Sequence, residues 1–167
     1  ALKEAEREKK ALNTYALVVN EKNDSSAEYL AAKELNKYLL RMTGREYTIC
    51  TAEESELGYD KRCHYISVGD NAIFRESPYK RFGGITAEDG FFVKADENSL
   101  FIGGNSDRAI FYGTYELLRT LGCDFYTADC EYVPVGVTIE AAAIDIVSLP
   151  SVTLRQYLAY ETCYDHT

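Results

Sequence analysis

The chain has 167 residues, 46% of them hydrophobic and 27% charged, an ordinary globular composition long enough to bury a core. Its 27 acidic residues outnumber 18 basic ones, for a net charge of −9. With basic residues scattered among Glu, that balance excludes phosphate-neutralising partnership with nucleic acid and argues against anionic membrane surfaces.

In chain order, residues 1–13 form a charged segment, helical or frayed. Tyr15 to Asn20 (YALVVN) reads as a compact apolar strand. Ser25-Ser26-Ala27-Glu28 has capping-box form. After it, Ala31, Leu35, Tyr38, Leu39 and Met42 recur at helical spacing and make one buried stripe. Gly44 follows as a left-handed stop. Tyr47 to Thr51 reads as a strand, Glu53 to Lys61 as an acidic loop, and Cys63 to Val68 as a strand closed by Gly69-Asp70-Asn71.

Residues 72–87 lack periodicity and carry the breakers Pro78 and Gly83-Gly84. Phe91 to Ala95 and Leu100 to Ile102 flank the polar Asp96-Glu97-Asn98-Ser99, a hairpin with a four-residue loop. A second helix is expected over Ser106 to Leu121, with Phe111, Tyr115 and Leu118 on one face and Ile110, Leu117 and Leu121 widening it. Gly113 inside it costs about 1 kcal/mol against Ala and implies a close neighbour. Gly122 ends that helix. Phe125 to Thr127 and Val137 to Val147 supply further strand material, Leu149-Pro150 breaks it, and Val152 to Tyr160 is one more apolar run.

Two long helices serving six or seven strands, with more hairpins than crossovers, give an α+β fold. We expect a mixed, mostly antiparallel sheet with two long amphipathic helices on one face. The division expected is a charged segment at 1–13, an α+β domain at 14–148, and the start of something further at 149–167. No apolar run approaches the ~20 residues of a spanning helix. The start at Ala1, with no Met and no signal-peptide pattern, reads as a mature or trimmed chain.

The candidate chemistry is sparse. Gly103-Gly104-Asn105-Ser106 lies between a strand and a helix, where glycine turns can cradle phosphate. It matches neither dinucleotide nor P-loop spacing, and Asp107 follows it, so a tight turn with an Asn or Ser cap is the better reading. The only histidines are His64, in an apolar strand, and His166. Glu53-Glu54, Glu88-Asp89 and Asp96-Glu97 sit in charged loops and read as solvated surface.

Five cysteines, Cys50, Cys63, Cys123, Cys130 and Cys163, include no CxxC pair, which argues against zinc and for buried free thiols. Cys50 and Cys63 fall on neighbouring predicted strands. Fourteen Tyr and seven Phe are present without Trp, the commonest sugar platform, so most Tyr read as core or interface. No metal, no cofactor and no catalytic residue is expected in the chain. Arg155, in the apolar run after Pro150, needs a partner, and a structural ion pair would serve.

Several motifs in order carry a resemblance: Ala32-x-Glu34-Leu35-x-x-Tyr38-Leu39 with Met42-Thr43-Gly44, Ile66-x-Val68-Gly69, Gly90-Phe91-x-Val93, Leu100-x-Ile102-x-Gly104, and Tyr112-Gly113-x-Tyr115-x-Leu117-Leu118. Over residues 14–155 the chain resembles the N-terminal domain that precedes the catalytic barrel in α-glucuronidases (glycoside hydrolase family 67) and β-hexosaminidases (family 20). The stretch Cys123 to Ala128 departs from the family pattern after the second helix.

The resemblance implies a zincin-like but metal-free α+β domain packed on a (β/α)8 barrel that carries both catalytic acids beyond Thr167. It implies that 149–167 enters the first barrel strand, and that Arg155 is a substrate-binding residue contacting sugar hydroxyls at the end of that strand. The partners implied are the downstream barrel and an oligo- or polysaccharide, in an exported bacterial enzyme. The alternatives are a stand-alone carbohydrate-binding or protein-interaction module using exposed Tyr, and an enzyme using the Gly103-Gly104 turn for a nucleotide.

Overall fold

The computed structural model describes residues 15–151 apart from Ala128. Arg155, Cys163, His166, the 1–13 segment and the run from Val152 to Tyr160 therefore lie outside the described residues.

Among the described residues there are eight strands and four α-helices. They are β1 (Tyr15–Val19), α1 (Ala27–Thr43), β2 (Thr48–Thr51), α2 (Ala52–Ser55), β3 (His64–Val68), α3 (Ala72–Glu76), β4 (Phe91–Asp96), β5 (Ser99–Gly104), α4 (Asp107–Thr120), β6 (Asp124–Thr127), β7 (Cys130–Tyr132) and β8 (Asp145–Ser148). A 3-10 turn spans Pro78–Gly84 and another Ala141–Ala143.

Six strands form one mixed sheet in the order β2-β1-β3-β5-β4-β8, and β6 and β7 form a separate antiparallel ribbon. The α+β class with a mixed sheet is as expected. Within the large sheet, β2, β1, β3 and β5 run parallel, and β4 is antiparallel to both β5 and β8. The parallel share arises because α1 returns the chain over the sheet from β1 to β2, and α3, the 3-10 turn and β4 intervene between β3 and β5.

The central strands are covered on both faces, which is why YALVV is continuously apolar rather than alternating. Leu17, Val19, Ile66, Val68, Val93, Leu100 and Ile102 point to α1 and α4. Ala16, Val18, Tyr65, Phe92 and Phe101 point the other way, onto Ile73 and Phe74 of α3, with Tyr79 and Phe82 of the 3-10 turn partly buried against them. The two long helices do share one face. The segment 72–87, expected to be irregular, is what closes the opposite face. Its start is fixed by buried Asn71, whose amide donates to Val18 O (3.0 Å) and Val68 O (3.3 Å) while its Oδ1 accepts from Phe74 N (3.2 Å).

On α1 the expected stripe is buried, with Ala32 added. Its stop is as read: Gly44 has φ 69° and donates its N–H to Leu40 O at 2.9 Å. Its start is not. Ser26 is the N-cap and makes no side-chain cap bond, and Glu28 instead accepts from Asp70 N at 2.9 Å. The carboxylate is drawn to the Gly69-Asp70 turn, where it lies against Gly69. A capping box does form at Thr51 and Glu54, in the segment expected to be a loop.

On α4 the buried residues are Ala109, Ile110, Gly113, Thr114, Leu117 and Leu118, so the helix is rotated from the expected face. Phe111 and Tyr115 flank the core half-buried. Gly113 has the close neighbour inferred for it: a Cβ there would lie 3.0 Å from Ile102 Cγ2.

The hairpin loop is two residues shorter than expected, because Asp96 and Ser99 pair and leave Glu97-Asn98 as the turn, with Glu97 at φ 49°. Of Val137 to Val147, only the end enters a strand, at β8. Cys50 and Cys63 are not on adjacent strands, since β1 lies between β2 and β3. Both are buried free thiols, as is Cys123, while Cys130 is exposed. No helix among the described residues is long and apolar enough to cross a membrane.

Candidate functional site

Two cavities flank the parallel strands, one at each end. The first lies at their N-terminal ends, between the end of α1, the β4–β5 turn and the segment 137–141. Parallel pairing of β1 with β3 sets Tyr15 beside His64, and their rings stack at 4.9 Å with 9° between planes. Arg45, in the loop after α1, holds its guanidinium carbon 3.8 Å from the Tyr15 ring centroid. Tyr47 meets Tyr15 edge-on at 5.4 Å.

Backbone restraints fix this arrangement. Asn36 clamps Tyr47 by donating to its carbonyl and accepting from its N–H, both at 2.9 Å. Val137 N donates to Met42 O at 3.0 Å, which seats the 137–141 segment against α1. Asn98 in the hairpin turn donates its backbone N–H to Lys61 O at 3.1 Å and its side-chain amide to Arg62 O at 3.3 Å. Burial, reinforced by Tyr15 and opposed by Arg45, pushes the Tyr47 hydroxyl up to about 12, so it is a neutral donor across the ordinary pH range. The cavity holds about 290 Å³ over an apolar floor that includes Ile66, Leu100 and Ile139, and no Asp or Glu among the described residues lines it.

The second cavity, about 420 Å³, lies at the C-terminal ends of β3 and β5. Phe74 and Phe92, stacked at 5.6 Å, are part of its wall with Gly103 and Gly104. Its charged rim is largely neutralised from within. Arg75 pairs with Asp70 at 2.9 Å, and Glu28 accepts the Asp70 N–H, although burial pushes the Glu28 carboxyl above the usual carboxylate range.

The Gly103 to Ser106 turn is a cap and not an anion cradle. Ser106 is the N-cap of α4, accepts from Ala109 N at 3.1 Å and donates to Asp89 Oδ1 at 2.8 Å. Asp89, buried and in left-handed backbone at φ 58°, also takes Arg108 at 3.1 Å. The protein's own carboxylate therefore occupies the start of this helix, where it meets the positive end of the helix dipole.

In the other acidic pairs, at least one carboxylate is engaged. Glu54 takes Lys22 at 2.7 Å, Glu97 takes Lys61 at 2.6 Å, and Asp96 accepts from the Tyr59 hydroxyl. Among the described residues, no group of three or more His, Cys, Asp or Glu side chains is placed to hold a metal ion.

Arg155, the one substrate ligand expected, lies outside the described residues. The Tyr15, Arg45, Tyr47, His64 and Asn98 constellation was not legible as a site in the sequence. Its members come from two strands, one loop and a hairpin turn, and the parallel register of β1 on β3 sets Tyr15 beside His64 at its centre.

Residues 1–117 match the sequence family described as Glycosyl hydrolase family 67 N-terminus. No curated protein matches the chain. Among solved structures, it is similar to a family GH115 4-O-methyl-α-glucuronidase with specificity for decorated arabinogalactans, at 15% identity and TM-score 0.42. It is also similar to a GH138 enzyme targeting pectin rhamnogalacturonan II, at 19% identity and TM-score 0.39. Each match covers 64% of this chain and 13% of the solved one, so this chain corresponds to a small part of either protein.

Proposed function

Because the chain belongs to the Glycosyl hydrolase family 67 N-terminus family, we propose that it is the non-catalytic N-terminal domain of a carbohydrate-degrading glycoside hydrolase. It packs against a downstream catalytic barrel and buttresses the cleft where a glycan is cut. The observation that carries this reading is the family match itself. It runs from the start of the chain into α4 and so takes in β1 to β5, the body of the double-faced core.

The described residues support a structural role. Glu54, Asp89, Asp96 and Glu97 are engaged in a cap, ion pairs and hydrogen bonds that hold the domain's own loops. The most exposed large apolar side chains, Tyr126, Tyr132, Val135 and Leu149, fall late in the described chain. These are groups a covalently linked neighbour would cover. The boundary reading keeps 14–148 as this domain and 149–167 as the entry into the barrel, with Arg155 as a ligand of sugar hydroxyls there. Export of the parent enzyme from a bacterium belongs to the same reading.

Reading the gene past codon 167 and assaying the two forms side by side tests it. The 167-residue chain should turn over no aryl-glycoside, while the longer product should do so and should lose stability when residues 14–148 are removed. Turnover by the short chain, abolished by mutating one of its own carboxylates, would overturn the proposal. A stop at codon 167 would favour a binding module presenting the ribbon residues Tyr126 and Tyr132.

A further inference from the structure

We propose that the cavity at the N-terminal ends of β1 and β3 is a binding site for a small, ring-bearing organic carboxylate, with Arg45 as its anchor. The chain carries nine more acidic than basic residues, yet among the described residues no carboxylate lines this cavity. Arg45 is exposed at its rim, and among the described residues its guanidinium has no ion pair or hydrogen bond. By contrast, five of the other six described arginines, Arg41, Arg62, Arg75, Arg108 and Arg119, each meet an Asp or Glu, and Arg81 lies over Phe82.

Resting on the Tyr15 ring, the Arg45 fork is pre-oriented, which lowers the entropy cost of closing it on a planar carboxylate through two parallel N–H bonds. Tyr47, held neutral by burial and clamped at its backbone by Asn36, lines the same wall. Ile66, Leu100 and Ile139 offer the body of the ligand an apolar floor. At about 290 Å³ the cavity stands near the lower end of small-molecule pockets, roughly 300 Å³, which limits the occupant to about one ring. The site lies at the opposite end of the parallel strands from the second cavity's self-neutralised rim.

The test is binding to the 167-residue chain itself, followed by backbone-amide NMR shifts, with no enzymatic readout. Two matched pairs of probes separate charge from ring type: galacturonate against galactose, and benzoate against benzamide. At least one of the two acids should give saturable shifts centred on Tyr47, His64 and Asn98, and its neutral partner should give none. If only galacturonate binds, the natural ligand is a hydroxylated ring acid; if only benzoate binds, it is an apolar one.

Arg45→Ala should weaken binding roughly tenfold or more, with Arg45→Lys between the two. Because Arg45 is exposed, melting temperature should hold. Thr138→Asp, an exposed change that puts an acid on the cavity wall, should weaken binding in the same way. Neutral probes binding as well as the acids, undiminished binding by Arg45→Ala, or no saturable shift with either acid would each overturn the assignment. None of these results bears on whether the chain supports a catalytic barrel.

Discussion

Tyr38 donates its hydroxyl to Glu131 Oε2 at 2.5 Å, joining the middle of α1 to the β6–β7 ribbon across 93 residues of chain. Arg41, one turn along the same helix, closes on the other carboxylate oxygen. Phe125 of the ribbon packs edge-on against both Tyr38 and Tyr115, at 5.5 and 5.0 Å. A two-stranded ribbon is marginal alone, so these contacts are what seat it on the helical layer.

The pH dependence of that seat follows from its carboxylate. Arg41 and then Tyr38 hold the Glu131 carboxyl below the usual carboxylate range. Its folded value is thus lower than its unfolded one, and protonation favours the unfolded chain. The stability it contributes is present in full above about pH 4.3, its unfolded value, and is lost as pH falls through the folded value. Thermal melts of the chain and of Glu131→Gln should differ most near neutral pH and converge in acid. A constant difference down to low pH would show that the interaction is not charge-dependent.

A second prediction separates the faces of α4. Leu117 is fully buried while Phe111 is only half-buried beside the core. Leu117→Ala should therefore cost about 2–5 kcal/mol, and Phe111→Ala less than the ~3–5 kcal/mol of a fully buried Phe. Urea unfolding of both variants measures this directly. A Phe111→Ala loss exceeding that of Leu117→Ala would return the helix to the face its apolar spacing alone indicates.

That helix also shows what sequence can and cannot tell. A stripe at helical spacing leaves about one residue of rotational freedom, and the bulky Phe111 and Tyr115 pull the reading toward themselves. Gly113 and Thr114 mark the true contact face because only small groups allow close approach to Ile102. The strand cores, the Gly44 stop and the hairpin were legible because local chemistry dictates them. The parallel register of β1 on β3 was not, since nothing in either strand names its partner. The cavity built on Tyr15 and His64 was hidden with it, as was α3, whose five residues are held by the long-range bond from Asn71 to Val18.

For Arg155, the expectation rests on the family resemblance and on its place after Pro150. In the full-length enzyme, Arg155→Ala should lower kcat/KM roughly tenfold or more, about 1.4 kcal/mol of transition-state binding, with little change in melting temperature. Steady-state kinetics with a matched stability measurement decides it. Normal kinetics, or failure to fold, would make Arg155 a structural ion-pair residue instead.

A sharp packing constraint is Gly103 opposite Phe92. The two are register partners in the β4–β5 hairpin, and a Cβ on Gly103 would lie 2.4 Å from Phe92 Cζ and 2.5 Å from Cε1. The ring is 2% exposed and stacks on Phe74 at 5.6 Å and against Phe82 at 5.5 Å. Gly103→Ala should therefore cost about 1–3 kcal/mol through overpacking, despite gaining a residue with less unfolded-state freedom. Shortening the ring should relieve the clash, so Phe92→Leu should cost less in the Gly103→Ala background than in the native one. A double-mutant cycle by urea denaturation reads this coupling, and strictly additive losses would show that the new methyl finds space elsewhere.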